Sequence, residues 1–243
     1  MTQERIQKKL AAAGIASRRQ IESWVKDGLI TINGVQAKLG DKITGDEIIK
    51  IVEKKIIPNK HLATETRVLL YHKACGVICS RKAEFEEQQT VYRYLPKLKK
   101  GRWLSVGRLD LNSSGLLLFT NNGKLANKLM HPSNNIKRQY LARVSGKLTA
   151  NELKQCIDGV QCHEEKINFT NIKLNISSKE GQNIWYKISM HAGKNRAIRR
   201  VFAYFDLKVS RLIRTHYANL TLKKDIPANS YRELTTKEVA KLL

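Results

Sequence analysis

Short segments with an apolar residue at every second position recur through the later part of the chain, and they constrain its fold more than any other feature. Ile172, Leu174 and Ile176 form one such segment, and Ile184, Tyr186 and Ile188 form another. Residues 139–144 read as a further strand, and Arg67–Leu70 and Val77–Cys79 read as short strands on either side of Gly76. Alternation of this kind belongs to a sheet with one buried face and one wetter face. Helical signals lie between the strands. Ile198, Val201, Phe202 and Phe205 fall at helical spacing behind Asn195, and residues 120–131 fit a short helix stopped by Pro132. Thr149 with Glu152 caps a helix that closes near Gly159. The expectation is an α+β body on a mostly antiparallel mixed sheet with flanking helices.

The first 60 residues follow a different rhythm. Ile6 and Leu10 share a helical face, and Gly14 is placed to end that helix. Ser17, with Gln20 three residues on, predicts a capping box for a second helix, whose apolar stripe is Ile21, Trp24 and Val25 and whose end is Gly28. Leu29–Ile32, the Asn33-Gly34 pair and Val35 are a hairpin signal, and residues 46–52 supply one more strand. Residues 53–66 lack periodicity and contain Pro58, so they read as connecting chain. The predicted organisation is a small module at 1–60, a linker at 61–66 and a larger body at 67–243.

Charge narrows the partners. Lysine and arginine total 45 against 21 acids, a formal excess of +24. A foldable chain this basic meets a polyanion, with nucleic acid the first candidate. An anionic membrane is the second, but no basic helix here carries the aromatic anchors that mode needs. The excess is +5 over residues 1–60 and +19 over the rest, so the small module is not the sole contact. The apolar run Leu116–Phe119 is too short to cross a bilayer, and the first residues hold no signal-like core, so a cytoplasmic protein is expected. Cys75, Cys79, Cys156 and Cys162 match no common zinc spacing and read as small buried hydrophobes. The six histidines show no HxxxH-type pair, which argues against a metal-dependent hydrolase.

Two sets of motifs carry a resemblance. Residues 5–19, with Lys8, Lys9, Arg18 and Arg19 beside helix ends, and the later Gly28–Gly34 stretch, resemble the S4 RNA-binding domain. The second set begins at Gly107-Arg108-Leu109-Asp110. On spacing alone Asp110 reads first as a turn residue fixing the loop before Ser113 and Ser114. Followed by Ser114–Thr120, however, the segment closely resembles the central motif of the RsuA/RluB family of RNA pseudouridine synthases. Leu129–Ser133, Lys137-Arg138-Gln139-Tyr140, Gly193–Arg200 and Val209–Arg214 match that family's later motifs in order. Arg102-Trp103 and Gln182–Tyr186 look most like the branch that modifies the large-subunit 23S rRNA.

That resemblance implies isomerisation of a uridine to pseudouridine, with no cofactor and no metal, in keeping with the lack of a phosphate-binding glycine loop. It places the catalytic carboxylate on Asp110, as nucleophile at C1′ or base at C2′, with Arg199 paired to it. It puts Tyr140 against the uracil and has Arg108 fill the space left by the flipped base or hold the flipped nucleotide. Arg196 and Arg200 join Lys8, Lys9, Arg18 and Arg19 as RNA contacts. The chain departs from the family pattern at Lys73-Ala74-Cys75-Gly76, where a proline is usual, and at Ala192 and Ala197. The expected partner is ribosomal RNA, naked or in an assembling large subunit, bound by a monomer. The competing expectations are a noncatalytic ribosome-assembly factor and a synthase acting on the small subunit.

Overall fold

Ser17 accepts a hydrogen bond from the Gln20 backbone N–H at 3.1 Å and starts the helix α2 (Arg18–Lys26). The reciprocal bond from the Gln20 side chain is absent, so half of the expected capping box forms. In this computed structural model, residues 3–44, 46–51, 54–56, 65–83, 85–175, 183–191 and 193–243 are described. The helix α1 (Ile6–Ala12) precedes α2. Strands β1 (Ile30–Ile32) and β2 (Val35–Gln36) form the predicted hairpin, with Asn33 and Gly34 at φ of 51° and 89° as a tight two-residue turn requires. Strand β3 (Ile49–Ile51) pairs with β1, and β4 (Lys54–Ile56) pairs with β3, giving the order β2-β1-β3-β4. The strand at Lys54–Ile56 corrects the reading of residues 53–66 as connecting chain: backbone pairing to β3 holds a segment without apolar periodicity. Residues 57–64, including most of the expected linker, lie outside the described residues. Ile6, Leu10, Ile21, Ile30, Ile43 and Ile49 are almost fully buried together and make the core of this module. Each such side chain contributes roughly 1.5–3 kcal/mol on burial.

The chain divides into two compact units. The first contains Met1–Arg67 and also Pro96–Leu104 and Asn121–Gly123; the second contains Val68–Leu95, Ser105–Thr120 and Lys124–Leu243.

The second unit is built on strands β5 (Val68–Lys73), β6 (Ser114–Thr120), β7 (Arg138–Val144), β8 (Asn171–Leu174), β9 (Ile184–Met190), β10 (Val209–Tyr217) and β11 (Tyr231–Glu233). Their order across the sheet is β8-β9-β7-β10-β6-β5-β11. The β10–β6 pair is parallel, with Ile213 opposite Ser114 and Arg214 opposite Gly115, and the other pairings along this path are antiparallel. β6 is buried from Gly115 to Thr120 on both faces, which is why Leu116–Phe119 shows an unbroken apolar run instead of alternation. β7, in contrast, alternates buried and half-buried along its whole length.

Helices α3 (Gly123–Met130), α4 (Ala150–Asp158), α5 (Ala197–Tyr204) and α6 (Thr236–Ala240) accompany the sheet, together with short strands at Leu104–Val106 beside β6, Leu220–Thr221 beside β10, and the pair Val160–Cys162 and Glu165–Ile167. Thr149 and Glu152 form the full capping box expected for α4. Two local expectations fail. Residues 120–122 belong to β6 and a bend before α3, and Val77–Cys79 makes only an isolated bridge, Ile78 to Thr90. Cys156 and Cys162 are buried as expected, whereas Cys75 is exposed. Among the described residues no helix is long and apolar enough to cross a membrane.

Candidate active site

Asp110 sits in a turn that the chain fixes from three sides. Gly107 takes φ of 76°, which an L side chain would resist, and turns the backbone out of the short strand Leu104–Val106. The Asp110 carbonyl accepts from the Ser113 N–H at 3.0 Å and closes a four-residue turn. Beneath it lies Lys73, fully buried at the end of β5. Its ammonium donates to Ser113 O at 2.8 Å, Ala74 O at 3.0 Å, Asp110 O at 3.1 Å and Leu111 O at 3.4 Å. Burial pushes the Lys73 pKa down, against nearby Cys79, Cys75 and Asp110. The Leu109 N–H meets Cys79 Sγ at 3.4 Å, and burial pushes that thiol up. Gly115 then brings β6 against β10 so closely that a Cβ would lie 2.3 Å from Arg214 O.

The turn opens on a cavity of about 930 Å³. Asp110 is the one acid among its described lining residues, which include the cations Arg108, Arg138, Lys194, Arg196 and Arg214. Tyr140, 8% exposed, stands directly across from Arg214 in the β7–β10 register, so both side chains project to the cavity face. Arg214 is 2% exposed; its Nε donates to Leu116 O at 2.7 Å and its Nη2 has no partner. The guanidinium groups of Arg138 and Arg214 each lie 5.0 Å from the centre of the Tyr217 ring. Tyr217 in turn donates to Leu129 O at 2.9 Å and accepts from Arg138 Nη2 at 3.1 Å. One carboxylate in a pocket of cations suits a polyanionic substrate.

Arg199, on α5, donates to Val209 O at 2.5 Å and to Asn112 O at 2.8 Å, while its Nε is buried without a partner. It thus grips the backbone of the Asp110 turn; a direct bond to the carboxylate is not among the described contacts. Burial and the adjacent Arg196 push Arg199 down, and the nearby Asp110 carboxylate opposes them. Arg108 is exposed at the cavity rim, and Arg196 holds a left-handed φ of 48° at the start of α5. Arg200 is tied to its own unit by an ion pair to Glu165 at 2.7 Å and a bond to Cys162 O. In the first unit Lys8 pairs with Glu4 at 2.7 Å and Lys9 reaches Thr44 O, whereas Arg18 and Arg19 are exposed in the first turn of α2. Of the departures noted above, Ala197 is buried at the start of α5 and Ala192 lies outside the described residues.

Lys73, Arg138, Arg214 and Tyr217 escaped the selection of site residues. Lys73, Arg138 and Arg214 stand inside quoted motifs, but their burial and cross-strand partners come from register, which spacing does not encode. Among the described residues no group of three metal-ligating side chains gathers.

A family model described as RNA pseudouridylate synthase matches residues 67–204, and an S4 domain model matches residues 4–49. Ribosomal large subunit pseudouridine synthase B of Escherichia coli strain K12 is 42% identical over 233 residues, covering 95% of this chain and 79% of that protein. The protein of the same name from Vibrio vulnificus is 38% identical over 239 residues, covering 97% of this chain and 73% of that one. A solved structure titled pseudouridylate synthase superposes with a TM-score of 0.68 at 22% identity, covering 98% of this chain and 99% of the other. That last likeness bears on the fold.

Proposed function

The chain belongs to the RNA pseudouridylate synthase family, and from that premise we propose that it converts a specific uridine of large-subunit (23S) ribosomal RNA to pseudouridine. The observation that carries the reading is Asp110 as the one acid among the described lining residues of a cavity that also holds five cations and Tyr140. The reaction breaks the C1′–N1 bond, turns the uracil and joins C5 to C1′. The C5 proton is lost and N1 gains one, so atoms and electrons balance without an external donor.

Asp110 starts the sequence, either by attack on C1′ with the uracil leaving or by taking the C2′ proton. Both routes need the carboxylate held in place, and Lys73 and Arg199 serve that need through the backbone of its turn. Tyr140 packs against the uracil and assists loss of the C5 proton once the new bond has formed. A paired uridine must leave its stack at a cost of a few kcal/mol, and Arg108 at the rim fills the vacated place. Arg196, Arg18 and Arg19 hold phosphates; Arg200, Lys8 and Lys9 do so on breaking or sharing their bonds to Glu165, Glu4 and Thr44, respectively. The enzyme works as a cytoplasmic monomer, with the S4-like module at 1–60 and the catalytic domain at 67–243 joined through 61–66.

The test is release of tritium from C5-labelled uridine in large-subunit and small-subunit rRNA separately. The proposal expects release approaching one label per large-subunit RNA and none from the small-subunit RNA. Release from the small subunit alone refutes the substrate assignment. Tight binding without release from either refutes the enzyme in favour of an assembly factor.

A further inference from the structure

The cavity lies on one face of the sheet, and the other face carries a pattern that isomerisation does not use. Tyr140, Ala142, Tyr186, Ile188 and Leu212 point to the core or cavity, so their odd-numbered neighbours stand on the opposite face. There, Lys173 of β8 lies directly opposite Lys187 of β9. In the next row, Arg143 of β7 lies directly opposite Arg211 of β10 on one side and Trp185 of β9 on the other. Lys173, Lys187 and Arg211 are exposed, while Arg143 and Trp185 are half-buried. The four cations make no ion pair among the described residues. Strands β7, β8, β9 and β10 contain no acidic residue at all.

Like charges directly opposite one another destabilise a sheet, and an ordinary solvated face intersperses both signs. Two like-charged pairs in neighbouring rows, uncompensated by any acid of the four strands, therefore call for an anion from outside. A register shift between Gln139 and Tyr140 places His216 opposite Gln139 on this same face, and there, after burial, Lys187 and Lys137 hold His216 below its ordinary pKa. Four strands at ~4.8 Å spacing span about 14 Å, and the two rows stand about 7 Å apart. Several phosphates fit over such an area, with the Trp185 ring available for stacking.

We infer that this face is a second RNA-binding surface, holding phosphates of a substrate segment remote from the target uridine. The inference rests on the reading of the chain as an enzyme acting on a long structured RNA. It assigns to Lys173, Lys187, Arg143 and Arg211 a role separate from the cavity.

The experiment replaces Lys173→Glu, Lys187→Glu and Arg211→Glu together, leaving the cavity lining untouched. Two RNAs are compared: full-length large-subunit rRNA, and a short hairpin cut around the modified uridine once it is mapped with wild type. The expected result is label release from the hairpin within about twofold of wild type, and rRNA affinity weakened at least about tenfold near physiological salt. The slope of log affinity against log salt falls by roughly one for each lost phosphate contact. Lys173→Glu alone guards against misfolding, because it turns a like-charged pair into an opposite one. Its thermal midpoint rises while its rRNA affinity falls, a combination that damage to the fold cannot produce. Unchanged rRNA affinity in the triple variant overturns the inference, including the case in which binding to phosphatidylserine vesicles is lost instead. Wild type that binds rRNA but releases no label counts against the isomerase reading, and the affinity comparison still decides this one.

Discussion

Replacing Lys73 with methionine tests how the Asp110 turn is held. The change keeps the length of an unbranched side chain but removes an ammonium whose three N–H groups are shared among four carbonyls. Two of them keep another donor: Asp110 O has the Ser113 N–H at 3.0 Å, and Leu111 O has the Gly76 N–H at 2.9 Å. Ser113 O, on a residue 2% exposed, and Ala74 O lose the one donor described for each. A buried carbonyl left without a donor costs about 1–3 kcal/mol, and relief from burying a charge offsets part of that. The expected loss of stability is about 2 kcal/mol, read by urea unfolding. Loosening the turn misplaces Asp110 and lowers kcat by about 10²-fold, read as single-turnover tritium release with RNA binding intact. The pH dependence has a definite sign. Burial lowers the folded-state pKa of Lys73 from its ordinary 10.5, so near the alkaline end the unfolded chain holds more protons. Wild-type stability relative to the variant therefore grows as pH rises from the folded-state pKa toward 10.5. A variant with unaltered stability and turnover refutes the reasoning.

Three other perturbations bear on neighbouring parts of the account. Gly115→Ala puts a Cβ 2.3 Å from Arg214 O at a φ of 107°; separation of β6 from β10 costs more than about 3 kcal/mol, seen as a lowered urea midpoint with loss of turnover. Arg214→Met leaves Leu116 O without its described donor and removes the cation beside Tyr140; kcat falls by about 10²-fold while the KM for RNA moves much less, measured by steady-state label release. Arg232 and the Thr235 backbone hold the Glu238 pKa down to about 2 from 4.5, so its stabilisation is present above pH 4.5 and lost as pH falls toward 2. Glu238→Gln flattens that part of the acid unfolding curve, and an unchanged curve contradicts the pairing.

Legibility in the sequence depended on whether the cause was local. Ser17, Gly28, the Asn33-Gly34 pair and the Thr149–Glu152 box act within a few residues of themselves, and the helices and hairpin they mark stand where expected. Segments whose structure is set by distant neighbours read poorly. β6 is buried on both faces and shows no alternation; β4 is held by pairing to β3; residues 77–79 have strand-like residues but no ladder to join. The same division runs through the site. Asp110, Tyr140 and Arg199 stood out through motif resemblance, and the cavity gathers Asp110 and Tyr140. The four carbonyls on Lys73, the grip of Arg199 on Asn112 and the burial of Arg214 beside Tyr140 are consequences of topology. Local spacing carries no record of them.

The most direct measurement of the central claim uses large-subunit rRNA carrying tritium at uridine C5, with wild type and Asp110→Asn side by side. The substitution keeps the size of the side chain and removes the one acid of the described cavity lining. The account predicts release approaching one label per RNA by wild type, and none by a variant that binds the RNA as tightly. Release by Asp110→Asn at a rate near that of wild type contradicts it.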